Sequence, residues 1–263
     1  MSYVDSDGAS VYYERHGSGP AIVFVHGSGG HHAIWWQQVA ALREEFTVVT
    51  LDLRGFGRTR LSLPRTEFDS RAFHGDVVAV LDAEDLTDAM VVGQSIGSIA
   101  ALRAALSRPE RVGSVVLGHS LGGISHPELR DLAAADRAEA VKLPVIDRLL
   151  TRRFQRERAD LTFLFRQMGT FNTATMQDLR NLDTDGPTLD DIRGSGVRVA
   201  FLAGEKDAVL GVKTVTRAHE LLPGSHLEIV PGGPHSLYWE TPDRYNAAVA
   251  RLRRTLTAPK DAA

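Results

Sequence analysis

At 263 residues, 43% hydrophobic and 24% charged, the chain has the composition of an ordinary soluble globular protein, long enough to bury a large core. A formal charge of −3 gives no electrostatic reason to expect nucleic acid or an anionic membrane as a partner. With no cysteine there is no disulfide, thiolate nucleophile or cysteine metal site, and no apolar run approaches the ~20 residues of a membrane span.

The N-terminal MSYVDSDGAS has neither a basic start nor an apolar run, so a cytoplasmic, water-soluble protein without a secretory signal is expected. ASVYYERHG alternates and then meets Gly, Ser and Pro, the pattern of an antiparallel edge strand. AIVFVHG, FTVVTLD, AMVVGQ, VGSVVLG, VRVAFLAG and HLEIVPG are nearly continuous apolar runs rich in Val and Ile. Such runs suit strands buried on both faces of a mostly parallel sheet. Helical patterns lie among them at about 33–44, 69–84, 96–107, 212–222 and 242–256. Strand alternating with helix predicts an α/β fold, a mostly parallel central sheet with helices on both faces. From Ile124 to Arg193 no convincing strand occurs, only helical stretches such as PELRDLAAADRAEAV. Residues 1–123 and 194–263 are therefore expected to form the core, and 124–193 a helical cap over the edge where open α/β sheets hold ligands. The final APKDAA reads as a frayed tail.

The pattern G-x-S-x-G, the turn that presents a nucleophilic serine, occurs at GQSIG (93–97) and again within GHSLGG (118–123). An elbow serine needs a strand before it, small neighbours around it and a helix immediately after it. Ser95 has AMVV before it, Gly93 and Gly97 beside it, and IGSIAALRAALSR after it. Ser120 has SVVL before it but LGGISHP after it, and Gly122, Gly123 and Pro127 cannot open a helix there. Ser95 is the predicted nucleophile. HGSGG at 26–30 ends an earlier strand, where glycines let a substrate carbonyl approach a backbone N–H. Neither G-x-G-x-x-G nor G-x-x-x-x-G-K-[ST] is present, which argues against a nucleotide-phosphate site.

Taken with these, DLRGFGRT at 52–59, GEKD at 204–207 and GGPHSLYWETPDRYN at 232–246 give the chain a resemblance to α/β-hydrolase-fold enzymes. The similarity is to the group of small esterases, enol-lactonases and carbon–carbon bond hydrolases. It runs in family order over most of the chain, while the cap region matches no family pattern. On the residues alone, His235 is a histidine in a Gly/Pro loop, and Asp207 competes with Glu205 and with Asp52, which reads as the organiser of the following turn. The resemblance implies the order Ser95, Asp207, His235, with backbone N–H groups of Ser28 and Ile96 forming the oxyanion hole. The residue types fit the chemistry. A serine hydroxyl needs an imidazole to take its proton, and a carboxylate fixes the imidazole tautomer. Some relatives place the acid after the sixth strand; here that position reads GHS, without a carboxylate. The usual Asp-Pro-Leu-like continuation is Asp207-Ala208-Val209.

Gly27, Trp35, Ser120, Met168 and Phe171 are the expected pocket residues, the last two from the aromatic cap segment LTFLFRQMGTF. His31-His32, without a nearby carboxylate in sequence, reads as a solvent-facing loop, and no metal or cofactor is expected. Arg148, Arg152 and Arg156 repeat at i, i+4, i+8 as a solvated basic stripe. The expected function is hydrolysis of a small, mainly apolar carboxylic ester or lactone through an acyl-enzyme. The partner is a small-molecule substrate, and a homo-oligomer is compatible with the composition. The alternatives are carbon–carbon hydrolysis of a ring-cleavage diketone, cofactor-free peroxidase activity and ligand sensing on the same scaffold. GSGG and Gln94 stand where carbon–carbon hydrolases usually have a Pro in the His-Gly loop and an Asn before the nucleophile. A serine nucleophile disfavours dehalogenase or epoxide hydrolase chemistry, which uses Asp.

Overall fold

The computed structural model describes residues 2–257, and the APKDAA tail lies outside the described residues. The strands are β1 (Ser2–Ser6), β2 (Ala9–His16), β3 (Ala21–Val25), β4 (Thr47–Leu51), β5 (Arg60–Leu61), β6 (Phe68–Asp69), β7 (Ala89–Gln94), β8 (Val112–Gly118), β9 (Leu179–Arg180), β10 (Arg198–Gly204) and β11 (His226–Val230). The helices are α1 (Trp36–Leu42), α2 (Phe73–Ala83), α3 (Gly97–Ser107), α4 (Pro127–Ala140), α5 (Val145–Leu149), α6 (Arg152–Glu157), α7 (Ala159–Met168), α8 (Leu189–Ser195), α9 (Val212–Leu221), α10 (Leu237–Glu240) and α11 (Pro242–Thr257).

The main sheet runs β1-β2-β4-β3-β7-β8-β10-β11, with β5 paired to β2. Every pairing from β4 to β11 is parallel. β1 and β2 form a hairpin across Asp7–Gly8, whose φ angles of 35° and 78° give the twist-matched turn that Asp-Gly favours. This corrects the reading of β2 as an edge: β1 covers one side of it and β4 the other.

β3, β4 and β7 are buried at every residue, which explains their unbroken apolar sequences. Successive side chains point to opposite faces. Val23 and Val25 join one core with Val91, Leu102 and Phe201, closed by α2, α3, α8 and α9. Ile22 and Phe24 join the other with Trp35, Trp239 and Tyr245, closed by α1 and α11. Truncating Phe24 or Phe201, both fully buried, to Ala would cost about 3–5 kcal/mol.

Between β8 and β10 the chain forms α4 to α8 joined by irregular stretches such as 181–188, with one exception to the expectation that no strand occurs. Leu179–Arg180 forms a two-residue parallel strand on β6, too short for periodicity to announce. The basic stripe is also corrected. Leu150 and Thr151 are extended between α5 and α6, so Arg148, Arg152 and Arg156 share no continuous helix. The chain after β11 is fastened to this segment: Ser236 N–H donates to the Leu149 carbonyl at 3.0 Å, Thr151 N–H to Glu240 of α10 at 2.8 Å, and Trp239 Nε1–H to the Leu161 carbonyl at 3.2 Å. Asn172 ties the segment to the other side of the site, donating to the Gly30 carbonyl at 3.1 Å and accepting the Gly57 N–H at 3.0 Å. Among the described residues no helix is long and apolar enough to cross a membrane.

Candidate active site

Ser95 occupies the turn between β7 and α3 with φ 53°, a left-handed conformation that a serine rarely adopts. Its N–H donates to the Gly118 carbonyl of neighbouring β8 at 2.8 Å, and its own carbonyl accepts the Ser98 N–H at 3.0 Å. The flanking glycines are steric requirements. A Cβ on Gly93 would strike the Ser98 backbone, and one on Gly97 would strike the Val25 and His26 carbonyls. Ser120 has no such setting: the chain turns through Gly122 and Gly123, and α4 starts only at Pro127.

Asp207 follows β10 and His235 follows β11, on adjacent parallel strands. His235 Nδ1–H donates to both Asp207 oxygens, at 2.9 and 3.0 Å. Asp207 Oδ1 also accepts the N–H groups of Val209 (2.7 Å) and Leu210 (3.1 Å), which fixes the carboxylate rotamer. Burial acts to raise the Asp207 carboxyl, but the charge and hydrogen bond of His235 outweigh it and hold the group below the ordinary carboxylate value. Glu205 points elsewhere, accepting the Gly232 N–H at 2.7 Å.

The HGSGG loop is pinned from beneath. His26 Nε2 accepts the Leu53 N–H at 3.1 Å, so its Nδ1 carries the proton and donates to the Gly27 carbonyl at 2.8 Å. Complete burial pushes this imidazole down to about 4. Gly27 lies so near the elbow that a Cβ there would stand 3.4 Å from Ser95 Cβ. The N–H groups of Ser28 and Ile96 donate to no acceptor among the described residues.

Ser95 lies where two cavities meet. The larger, about 530 Å³, is bounded by Gly27, Ser28, His235, Ile146, Phe165 and Tyr238. The smaller, about 180 Å³, is bounded by Ile96, Ile99, Ser120, Leu121, Ile124 and Val209. Met176 touches both. Gly27 and Ser120 thus stand on cavity walls, whereas three other predicted pocket residues do not. Trp35 is fully buried against Phe24 and Tyr238; Met168 packs against the core; Phe171 is 69% exposed, edge-on to His31. From the aromatic cap segment it is Phe165, and neither Met168 nor Phe171, that lines the larger cavity, together with Met176, Val145 and Gln94, which the sequence did not mark as pocket residues.

The reading of His31-His32 as a solvent-facing loop is overturned. His31 is 7% exposed, and the fold brings the buried carboxylate of Asp52 to His32, whose Nδ1 donates to it at 2.8 Å. His31, His32 and Asp52 form a cluster of metal-ligand types, with one ligand atom of each within 4.8 Å of the others. The Asp52 oxygens also accept the N–H groups of His32 (2.5 Å) and Arg58 (2.7 Å), the grip that shapes the DLRGFG turn. Burial acts to raise its carboxyl, and the bond and charge of His32 bring it below the usual value.

With this geometry in view, residues 20–242 match the family model described as the alpha/beta hydrolase fold, and the chain belongs to that family. Its class is therefore that of an α/β-family hydrolase. It is 30% identical over 263 residues to a putative carbamate hydrolase, RutD, from Caulobacter sp. (strain K31), covering 91% of this chain and 94% of that one. A thermophilic esterase from Thermogutta terrifontis superposes with a TM-score of 0.80 at 22% identity, over 97% of this chain and 98% of that one. A solved N-acyl homoserine lactone degrading enzyme superposes at 0.75 with 25% identity, over 95% and 99%.

Proposed function

We propose that this hydrolase cleaves small, mainly apolar carboxylic esters or lactones through an acyl-enzyme on Ser95. The observation that carries the reading is the position of Ser95, strained at an elbow between two largely apolar cavities, one of which also holds the Asp207-bound His235. Ser95 Oγ attacks the substrate carbonyl while His235 Nε2 takes its proton. Asp207 keeps the Nδ1–H tautomer and stabilises the imidazolium that forms. The free N–H groups of Ser28 and Ile96 receive the oxyanion, and the N-terminus of α3 lies behind it. His235 then protonates the leaving oxygen, and water attacks the acyl-enzyme in the reverse sense.

His235 bounds the larger cavity and is absent from the walls of the smaller. The leaving group, which must reach the imidazole, belongs in the larger chamber, and the acyl arm lies in the smaller, beside Ile96 and Ile99. The segment 124–193 serves as a cap, since Val145, Ile146, Phe165 and Met176 close the larger chamber from above the sheet. The relative described as a putative carbamate hydrolase supports a second substrate class, because a carbamate presents the same carbonyl to the same serine.

The test is steady-state and burst kinetics with 4-nitrophenyl esters of increasing acyl length, N-acyl homoserine lactones and aryl carbamates. Multiple turnovers of an ester or lactone, lost in Ser95→Ala, are expected. At most a single turnover would turn the reading toward a ligand sensor. Turnover of carbamates alone would move the substrate class.

A further inference from the structure

Gln94 stands just before the elbow, and nothing in the elbow itself calls for a glutamine. Its side chain is 98% buried and makes two bonds: Nε2 donates to the main-chain carbonyl of His235 at 2.9 Å, and Oε1 faces His119 Nδ1 at 3.1 Å. Chemistry sets the direction of the chain. A carbonyl can only accept, so the amide nitrogen must face His235. The amide oxygen then faces His119, whose Nδ1 must carry the hydrogen.

His119 is built in with equal care. It follows β8, between β7 and β10 in the sheet, with φ 55°, and its N–H donates to the Leu202 carbonyl at 2.8 Å. The ring is 2% exposed and meets the His235 ring edge-on, centroids 5.5 Å apart. Burial pushes its imidazole down to about 4, against the pull of the Asp207 carboxylate, so near neutrality it is the uncharged Nδ1–H form. Its Nε2 has no partner among the described residues.

We propose that His119 and Gln94 are a positioning pair for the serine chemistry put forward above: His119 orients the Gln94 amide, and Gln94 grips the His235 main chain. His235 lies in a loop of Pro, Gly, Gly and Pro with no regular structure of its own. The bond to Asp207 fixes how the ring is turned; the bond from Gln94 fixes where the ring is hung. Gln94 bounds the larger cavity and His119 the smaller, and this assignment, which rests on the proposed ester chemistry, gives neither of them a bond to the substrate carbonyl.

The experiment compares wild type, Gln94→Met, His119→Phe, His119→Asn and the double variant Gln94→Met/His119→Phe on 4-nitrophenyl butyrate, with thermal melts alongside. Methionine matches glutamine in shape without the amide, and the asparagine amide nitrogen falls where Nδ1 was. Gln94→Met and His119→Phe should lower kcat about 10- to 100-fold, the scale of a small misplacement of a catalytic group, with KM within about twofold. The double variant should be no worse than the poorer single, and His119→Asn should recover most of the rate. Folded single variants that keep kcat within about twofold would overturn the proposal, as would losses that multiply in the double or a His119→Asn as slow as His119→Phe. Should His119→Phe not fold, Gln94→Met decides by the same kcat criterion. A wild type that neither turns over the ester nor is labelled by a fluorophosphonate sinks the ester chemistry and this pair with it; an active wild type with indifferent variants sinks the pair alone.

Discussion

Glu205 and Asp207 leave the same turn after β10 toward different partners: Asp207 holds His235 Nδ1 at 2.9 Å, while Glu205 accepts the Gly232 N–H at 2.7 Å. Replacing Asp207 by Asn should therefore favour the wrong imidazole tautomer and lower kcat on the order of 10⁴-fold with the fold retained. Glu205→Gln should stay within about tenfold, since the glutamine oxygen can still accept the Gly232 N–H. Rates and melting curves of the two variants side by side check this. An active Asp207→Asn with an inactive, folded Glu205→Gln would reassign the acid.

A fluorophosphonate should modify Ser95 and leave Ser120 free. Ser120 Oγ accepts the Gly122 N–H at 3.1 Å within its own loop, and no helix begins behind it. Peptide mass mapping of the adduct decides between the two serines.

Gly97→Ala should abolish soluble, active protein. The added methyl meets two main-chain carbonyls, which cannot swing aside as a side-chain tip can, and overpacking of this kind costs several kcal/mol. A folded Gly97→Ala with near-normal rate would mean that β3 and α3 are farther apart than described.

Asp52→Asn should act on stability first. The carboxylate is fully buried and bonded to main-chain N–H groups of His32 and Arg58, so its loss leaves buried donors less well satisfied, at about 1–3 kcal/mol. Urea unfolding of the variant measures this, and kcat of the folded fraction should change little.

Stability should fall as pH falls from about 6.5 to about 4. Burial lowers His26 and His119 from 6.5 to about 4, so across that window the unfolded chain binds protons that the folded chain refuses. Each imidazole contributes on the order of 3 kcal/mol over the window. Asp207 extends the trend to lower pH. Its folded value is depressed, so its contribution is present above its unfolded value of 3.8 and lost as pH falls through the folded one. Urea midpoints at pH 7, 5.5 and 4.5 should drop in order, and less steeply in His119→Asn.

Much of the architecture was legible because strands buried on both faces can be written only in apolar residues, as β3, β4 and β7 are. The elbow was legible because Gly93 and Gly97 are steric necessities and α3 must follow at once. β1 escaped although Asp7-Gly8 is a strong hairpin signal, because SYVDS is short and half polar. The cavity walls escaped for a different reason. Phe165 and Met168 share α7, and which of them faces the cavity depends on how that short helix is hung, a tertiary matter. His119 could be seen as a polar residue closing a strand. That it lies beside His235 follows only from β8 pairing with β10, and β10 with β11.

That strand order bears on how the site comes into being. Ser95 follows β7, but Asp207 and His235 arrive only after β10 and β11, beyond the whole excursion from α4 to α8. Every contact that completes the site is distant in sequence, the kind that forms slowly because a long loop must close first. On the proposed chemistry, a chain halted on the ribosome before residue 235 carries a serine at its elbow without the imidazole of His235. Hydrolytic activity in such a molecule is a report on the entire sheet, and it should appear and vanish with the last strand.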